Sequence, residues 1–157
     1  MRKNKAFTLI EILLVIVVLG IVLALAAPNF SKGYSRFQLN KTADDLLSLS
    51  RWAQAMAIGQ ERVYALSFSN DRRSYGLERA TADEDTGDAA RFGPVNGALG
   101  HMHPLPDAVS LDIQDDRITF YPDGTISPSV IQLSSPEQQM ELSSTKVRGM
   151  MVKVDDE

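Results

Sequence analysis

The sequence predicts an α+β fold: one long N-terminal helix, apolar in its first half and amphipathic in its second, packed on a head of antiparallel β-sheet. Three patterns carry this prediction. Residues 6–27, AFTLIEILLVIVVLGIVLALAA, are a single apolar run holding one carboxylate, Glu11. Residues 29–59 repeat apolar side chains every three or four positions, the spacing of a helix with one buried stripe. From residue 62 the period falls to two, and turn formers such as Asn70-Asp71 and Pro122-Asp123-Gly124 separate short β-rich runs, as between paired strands.

Length and composition frame those elements. The chain has 157 residues, no cysteine and a formal net charge of -4, which suits one modest domain plus an anchor. Without cysteine no disulfide holds the fold, and redox chemistry does not report the compartment. Arg2, Lys3 and Lys5 precede the apolar run, so the positive-inside rule keeps this end in the cytoplasm and exports the rest. Once residues 1–6 are set aside, 13 of the 16 Lys and Arg face all 20 Asp and Glu. An acidic product of this kind argues against nucleic acid as a partner.

At the helical rise the run 6–27 makes ~33 Å of rod, enough to span the hydrocarbon core of a bilayer. A secretory signal peptide shares the basic start and offers the small-x-small site Ala24-Leu25-Ala26, but its apolar core is shorter and carries no carboxylate. A plain single-span anchor explains the length and leaves Glu11 without a purpose. A carboxylate in such a segment costs ~2.5 kcal/mol or more unless it is neutralised, so a partner for Glu11 is expected.

Lys5-Ala6-Phe7-Thr8-Leu9-Ile10-Glu11 resembles the class III signal of type IV pilins and pseudopilins. The resemblance implies cleavage between Ala6 and Phe7 by a prepilin peptidase, with N-methylation of Phe7. Ala6 departs from the family's usual Gly and is still small. Glu11 falls at the fifth mature position, where the family has its glutamate, and Pro28 at the twenty-second, where many members have a helix-kinking proline. The implied assembly pair joins the Phe7 ammonium, its own or a neighbour's, to Glu11 one turn on, which sets the axial offset of a subunit in a filament. Gly20 and Pro28 are helix weak points that allow the rod to bend.

Beyond Pro28 the helix is expected to continue to Gly59 as its C-terminal stop. Phe30, Tyr34 and Phe37 form an aromatic row that packs on the head or on adjacent subunits. Leu39, Ala43, Leu46, Leu47, Leu49, Ala53, Met56 and Ala57 make the face that needs a sheet, while Lys41, Asp44, Asp45, Arg51 and Gln54 lie elsewhere. Strands are expected over 62–69 and 74–79, joined as a hairpin by Asn70-Asp71-Arg72-Arg73. Residues 80–106 read as loop, and 109–113 as a short strand. A second hairpin pairs 118–121 with 129–133 around Pro122-Asp123-Gly124-Thr125. Glu141-Leu142 and residues 150–154 supply the last strands.

The phrase Leu49-Ser50-Arg51-Trp52-Ala53-Gln54-Ala55-Met56-Ala57, the strand 63–68 and Ile118-Thr119-Phe120-Tyr121-Pro122-Asp123-Gly124-Thr125 resemble the H-type minor pseudopilins of type II secretion and the related FimT minor pilins. Val147-Arg148-Gly149 and the strand after it fit as well. The implied fold is type IV pilin-like. The implied organisation is a leader at 1–6, a transmembrane and filament-core helix at 7–27, an amphipathic helix at 28–60 and a periplasmic β-rich head at 61–157.

Other candidate sites are weaker. The acidic stretch Asp83-Glu84-Asp85-Thr86-Gly87-Asp88 invites calcium, but its spacing fails the EF-hand pattern and it reads as a solvated loop. His101 and His103 are two imidazoles where zinc needs three or four ligands, and they read as surface loop residues. Arg62, Arg72, Arg73 and Arg79 gather on the first hairpin, which leaves a DNA-touching minor pilin open as an alternative, against the acidic head and the lack of interleaved aromatics. No nucleophile elbow or phosphate-cradling loop is present.

The expectation is a non-enzymatic subunit with neither metal nor cofactor, held in a bacterial inner membrane with its N-terminus cytoplasmic and its head periplasmic. The resemblance implies as partners other pseudopilins, major and minor, the prepilin peptidase and the inner-membrane secretion platform. The alternatives are a FimT-like minor pilin of type IV pili and a membrane-anchored or secreted binding domain with no filament.

Overall fold

The computed structural model describes residues 7–81, 91–147 and 149–154, with the side chains of 25–32 and 98 outside the description. The acidic stretch 83–88 and the Phe30 side chain therefore lie outside the described residues. Among the described residues helix α1, Leu9–Gln60, is followed by nine strands, β1 Tyr64–Phe68, β2 Ser74–Thr81, β3 Arg91–Pro94, β4 His103–Pro104, β5 Ser110–Ile113, β6 Arg117–Phe120, β7 Val130–Ser134, β8 Gln139–Val147 and β9 Met150–Val154. The chain divides after Tyr34 into two compact units.

In the first unit, α1 opens with Thr8 as its cap. The backbone N–H of Glu11 donates to the Thr8 carbonyl at 3.1 Å and approaches Thr8 Oγ1 at 3.4 Å. This satisfies one of the donors that a helix start leaves without a partner. Neither Gly20 nor Pro28 interrupts α1. A Cβ at Gly20 would meet nothing within 4 Å, so packing does not require glycine there.

In the second unit, α1 buries Leu39, Ala43, Leu46, Leu49, Ala53 and Ala57, the stripe expected from three- and four-residue spacing. Thr42 and Ser50 are also buried in it. Each returns its hydroxyl to the carbonyl four residues back, Thr42 to Gln38 at 2.9 Å and Ser50 to Leu46 at 2.8 Å, so neither leaves a bare polar atom.

The helix stop differs from the expected one. Gly59 remains helical, and Glu61 takes the left-handed turn with φ 51°. The Arg62 N–H reaches the Ala57 carbonyl at 3.2 Å, the six-to-one bond of a Schellman ending.

Two antiparallel sheets share one core with this half of the helix. The first has the order β3-β2-β1-β6, with β4 also on β2, and the second the order β5-β7-β8-β9. β1 is buried along its whole length because β2 and β6 flank it. Tyr64, Leu66 and Phe68 enter the core. On the other face, Ala65 opposes Glu78 and Ser67 opposes Arg117. Arg117 and Glu78 pair at 3.0 Å, bridging β1 over these two small residues. The Arg117 guanidinium also sits 4.3 Å above the Phe92 ring of β3.

Two expectations are corrected. Part of the stretch read as loop is sheet: β3 and β4 both pair with β2, Ala80 opposite Phe92 and Tyr75 opposite His103. These strands are short and their partner is distant in sequence, so no local periodicity marks them. The second hairpin does not form either. β6 pairs with β1, whereas β7 pairs with β5 and β8. Beyond a single bridge from Phe120 to Ile126, the Pro122-Asp123-Gly124 turn carries the chain from one sheet to the other.

That turn and the β1–β2 turn are built alike. Asp71 Oδ1 accepts from Ser69 Oγ at 2.5 Å and from the Arg73 N–H at 3.1 Å. Asp123 Oδ1 accepts from Thr125 Oγ1 at 2.7 Å and from the Thr125 N–H at 2.9 Å. These bonds, the side-chain hydroxyl first in each case, hold both carboxyls below the usual carboxylate range.

Candidate assembly interface

The first unit presents apolar side chains on every side of its helix. Leu9 is 85% exposed, Ile21 57% and Val15 46%, positions about 120° apart at the helical repeat. Three positions so far apart around the axis rule out one buried stripe within the chain. A helix apolar all round is stable only inside a bilayer or among other apolar surfaces. Among the described residues no helix is long and apolar enough to cross a membrane; the helical residues with described side chains here are 9–24, whereas the sequence run extends over 6–27.

Glu11 is exposed in the first turn of this helix, where the positive end of the helix dipole favours a carboxylate. Among the described residues it has no ion-pair partner. Phe7 is 76% exposed two residues before α1 begins. The two residues expected to form the assembly pair thus stand within one turn of each other, and Ala6 lies outside the described residues. Thr8-x-x-Glu11 has the spacing of a capping box, a local signal for the helix start that the sequence carries beside the charge.

The two members of the aromatic row whose side chains are described are both exposed. Tyr34 is 62% exposed and Phe37 63%.

The head is tied to its helix by a polar residue off the expected apolar face. Gln54 Nε2 donates to the Gly124 carbonyl at 2.8 Å and to the Gly149 carbonyl at 2.6 Å. Both glycines have positive φ, 82° and 73°, and one amide holds both the turn that links the two sheets and the β8–β9 turn. No periodicity signals this, since the acceptors are 70 and 95 residues away.

Two of the four arginines gathered on the first hairpin are held in ion pairs. Arg72 pairs with Asp116 at 2.8 Å and Arg73 with Asp107 at 2.7 Å, which offsets much of the charge that would attract a phosphate backbone. His101 is exposed, but His103 corrects the surface-loop reading. It lies half-buried in β4 and stacks on Tyr75 with ring centroids 5.8 Å apart. Burial chiefly, with the Asp45 carboxylate second, pushes the Tyr75 hydroxyl up to about 12. Among the described residues no group of three or more His, Asp or Glu is placed to hold a metal.

Comparison with known proteins covers both units. The prokaryotic N-terminal methylation motif matches residues 1–27, and the model of the type II transport protein GspH matches residues 42–154. The chain belongs to the GspH family. Its fold is shared with the minor pseudopilin EpsH from the type 2 secretion system of Vibrio cholerae, at a TM-score of 0.61 and 13% identity over 74% of this chain and 96% of that one. It is equally the fold of the type IV minor pilin FimU of Pseudomonas aeruginosa, at 0.57 and 14% over 76% and 90%.

Relatives of this GspH-family chain include a fimbrial protein of Pseudomonas aeruginosa, 26% identical over 55% of this chain and 57% of that protein. Another is the type IV major pilin PilA of Myxococcus xanthus, 30% identical over 61% and 46%. The matches therefore span about half the length of these curated relatives. A pilin-like GspH-family protein is the identity that the matches and the fold support together.

Proposed function

We propose that this GspH-family chain is a minor pseudopilin, a structural subunit of the periplasmic pseudopilus of a type II secretion system that supports export of folded proteins across the outer membrane. The carrying observation is the helix of the first unit, apolar and exposed on every side with one carboxylate in its first turn. Such a surface suits transfer from a bilayer into a bundle of like helices, because both environments bury it. In this reading residues 1–6 are a leader, a prepilin peptidase cuts between Ala6 and Phe7, and Phe7 is N-methylated. Residues 7–27 cross the inner membrane with the N-terminus cytoplasmic and later enter the filament core, while residues 28–60 lead into the periplasmic head at 61–157. Gly20 and Pro28 let the rod bend as it packs. Glu11 neutralises a Phe7 ammonium and so selects the axial register. The partners are other pseudopilins, the peptidase and the inner-membrane platform.

Mass spectrometry of the mature N-terminus tests the reading. Methyl-Phe7 is the expected end, and a start near Ala27 would remove the filament role. Glu11→Gln is expected to lower incorporation into the filament fraction more than tenfold, the scale of the ~3 kcal/mol of a broken buried pair, with the melting of the head unchanged. Incorporation at the wild-type level would overturn the role given to Glu11.

A minor pilin of type IV pili is the second reading, favoured by the pilin relatives and by the likeness to FimU. In-cell crosslinking separates the two, with pseudopilin neighbours in one case and pilins in the other. The locally paired Arg72 and Arg73 weigh against DNA as a partner in either.

A further inference from the structure

Between α1 and the first sheet lies an open cavity of about 360 Å³ that the assembly reading does not use. Asp45, Ser48, Leu49 and Trp52 line one side, at the spacings that place side chains along one face of a helix. Tyr75 and His103, opposite each other in register on β2 and β4, line the other. The aromatic groups are held in place. The Trp52 ring meets Tyr64 edge-on at 6.1 Å, and Tyr75 stacks on His103. The volume is at the small end for ligand sites, which run from ~300 to ~1,000 Å³, so it fits one side chain better than a cofactor.

Charge selects the occupant. Asp45 is exposed, and among the described residues it has no ion-pair partner. Lys41, one turn back on the helix, makes no ion pair with it. The wall across from Asp45 carries a phenol and an imidazole rather than a fixed cation. A carboxylate beside aromatic rings, in a cleft whose remaining lining is Leu49, Leu99 and the small hydroxyl side chain of Ser48, is complementary to a cation on an apolar stem. A planar guanidinium stacks on aromatic rings better than an ammonium does.

We propose that this cleft is a docking site for an arginine side chain presented by a neighbouring protein subunit. The neighbour's existence rests on the assembly reading above; the chemistry of the cleft does not. Trp52 is the only tryptophan, so its fluorescence reports occupancy directly.

The test titrates the full-length protein in detergent with N-acetyl-argininamide, N-acetyl-lysinamide and N-acetyl-norleucinamide. A saturable change is expected with the arginine probe, weaker binding with lysine, and none with norleucine over the same range. Asp45→Asn should weaken the arginine probe about three- to tenfold, the scale of one partly exposed cation site, while its circular dichroism and melting match wild type. Equal binding of norleucine, unchanged arginine binding by Asp45→Asn, or no saturable change would each overturn the proposal. In cells, a photo-crosslinking residue at Ser48 should attach within a residue or two of an arginine in a neighbouring subunit. Attachment to acidic or apolar segments, to lipid, or to nothing would overturn the occupant. Failure of these titrations in a protein that still carries methyl-Phe7 removes the cleft's role and leaves the assembly reading standing.

Discussion

The two halves of α1 belong to one continuous helix and obey opposite rules. In the first, almost every side chain is apolar and exposed, with Leu14 at 60%. In the second, charged and polar residues are frequent, yet Leu46, Ala53 and Ala57 are fully buried. Hydropathy alone therefore orders the two halves wrongly for burial within the chain. What buries a helix face is a partner of matching shape. The second half meets two sheets with Ala43, Ala53 and Ala57, whose small side chains allow close approach. Among the described residues the first half has no such partner in its own unit, and its apolar side chains stay exposed.

The sharpest way to break this comparison is to remove the same side chain from each half. Leu46→Ala is expected to destabilise the head by about 2–5 kcal/mol in chemical denaturation, the range for a buried leucine that leaves a cavity. Leu14→Ala should change it by less than ~0.5 kcal/mol. Equal effects would mean that the first half is also folded against the head.

The core that the second half of the helix shares with the sheets also has an alkaline limit, set by Tyr75 on β2. The Tyr75 hydroxyl is pushed up to about 12 from 10.0, so the folded state holds its proton where the unfolded state releases it. Stability from this group is complete below pH 10 and is lost as pH rises towards 12, by on the order of 2 kcal/mol. Tyr75→Phe should flatten that part of the pH dependence in denaturation measured between pH 9 and 12.

Gln54→Ala probes how the second half holds its sheets. Loss of the bonds to Gly124 and Gly149 should cost about 1–2 kcal/mol. Amide exchange should quicken at both turns together, which distinguishes a shared clamp from two separate contacts. A modest effect of opposite sign is expected at the helix end. Glu61→Gly relieves a left-handed residue and should stabilise the head by up to about 1 kcal/mol, read as a rise in melting temperature.

The sequence by itself determined the elements whose causes are local. The length and apolarity of residues 6–27, the buried spacing from Leu39 to Ala57 and the Asn70-Asp71 reversal each follow from a few neighbouring residues. The Glu11 motif was legible in the same way. Tertiary structure decided what depends on partners far along the chain. Whether β6 joins β7 or β1, why residues read as loop form β3 and β4, and which carbonyls Gln54 reaches are all settled by non-local pairing. Arg72 and Arg73 looked like a basic patch until the fold brought Asp116 and Asp107 to them. The physical reason is common to all of these. A turn or a helical stripe has its energy in contacts between near neighbours, whereas a sheet's order is chosen by competition among edges that only the assembled core can rank.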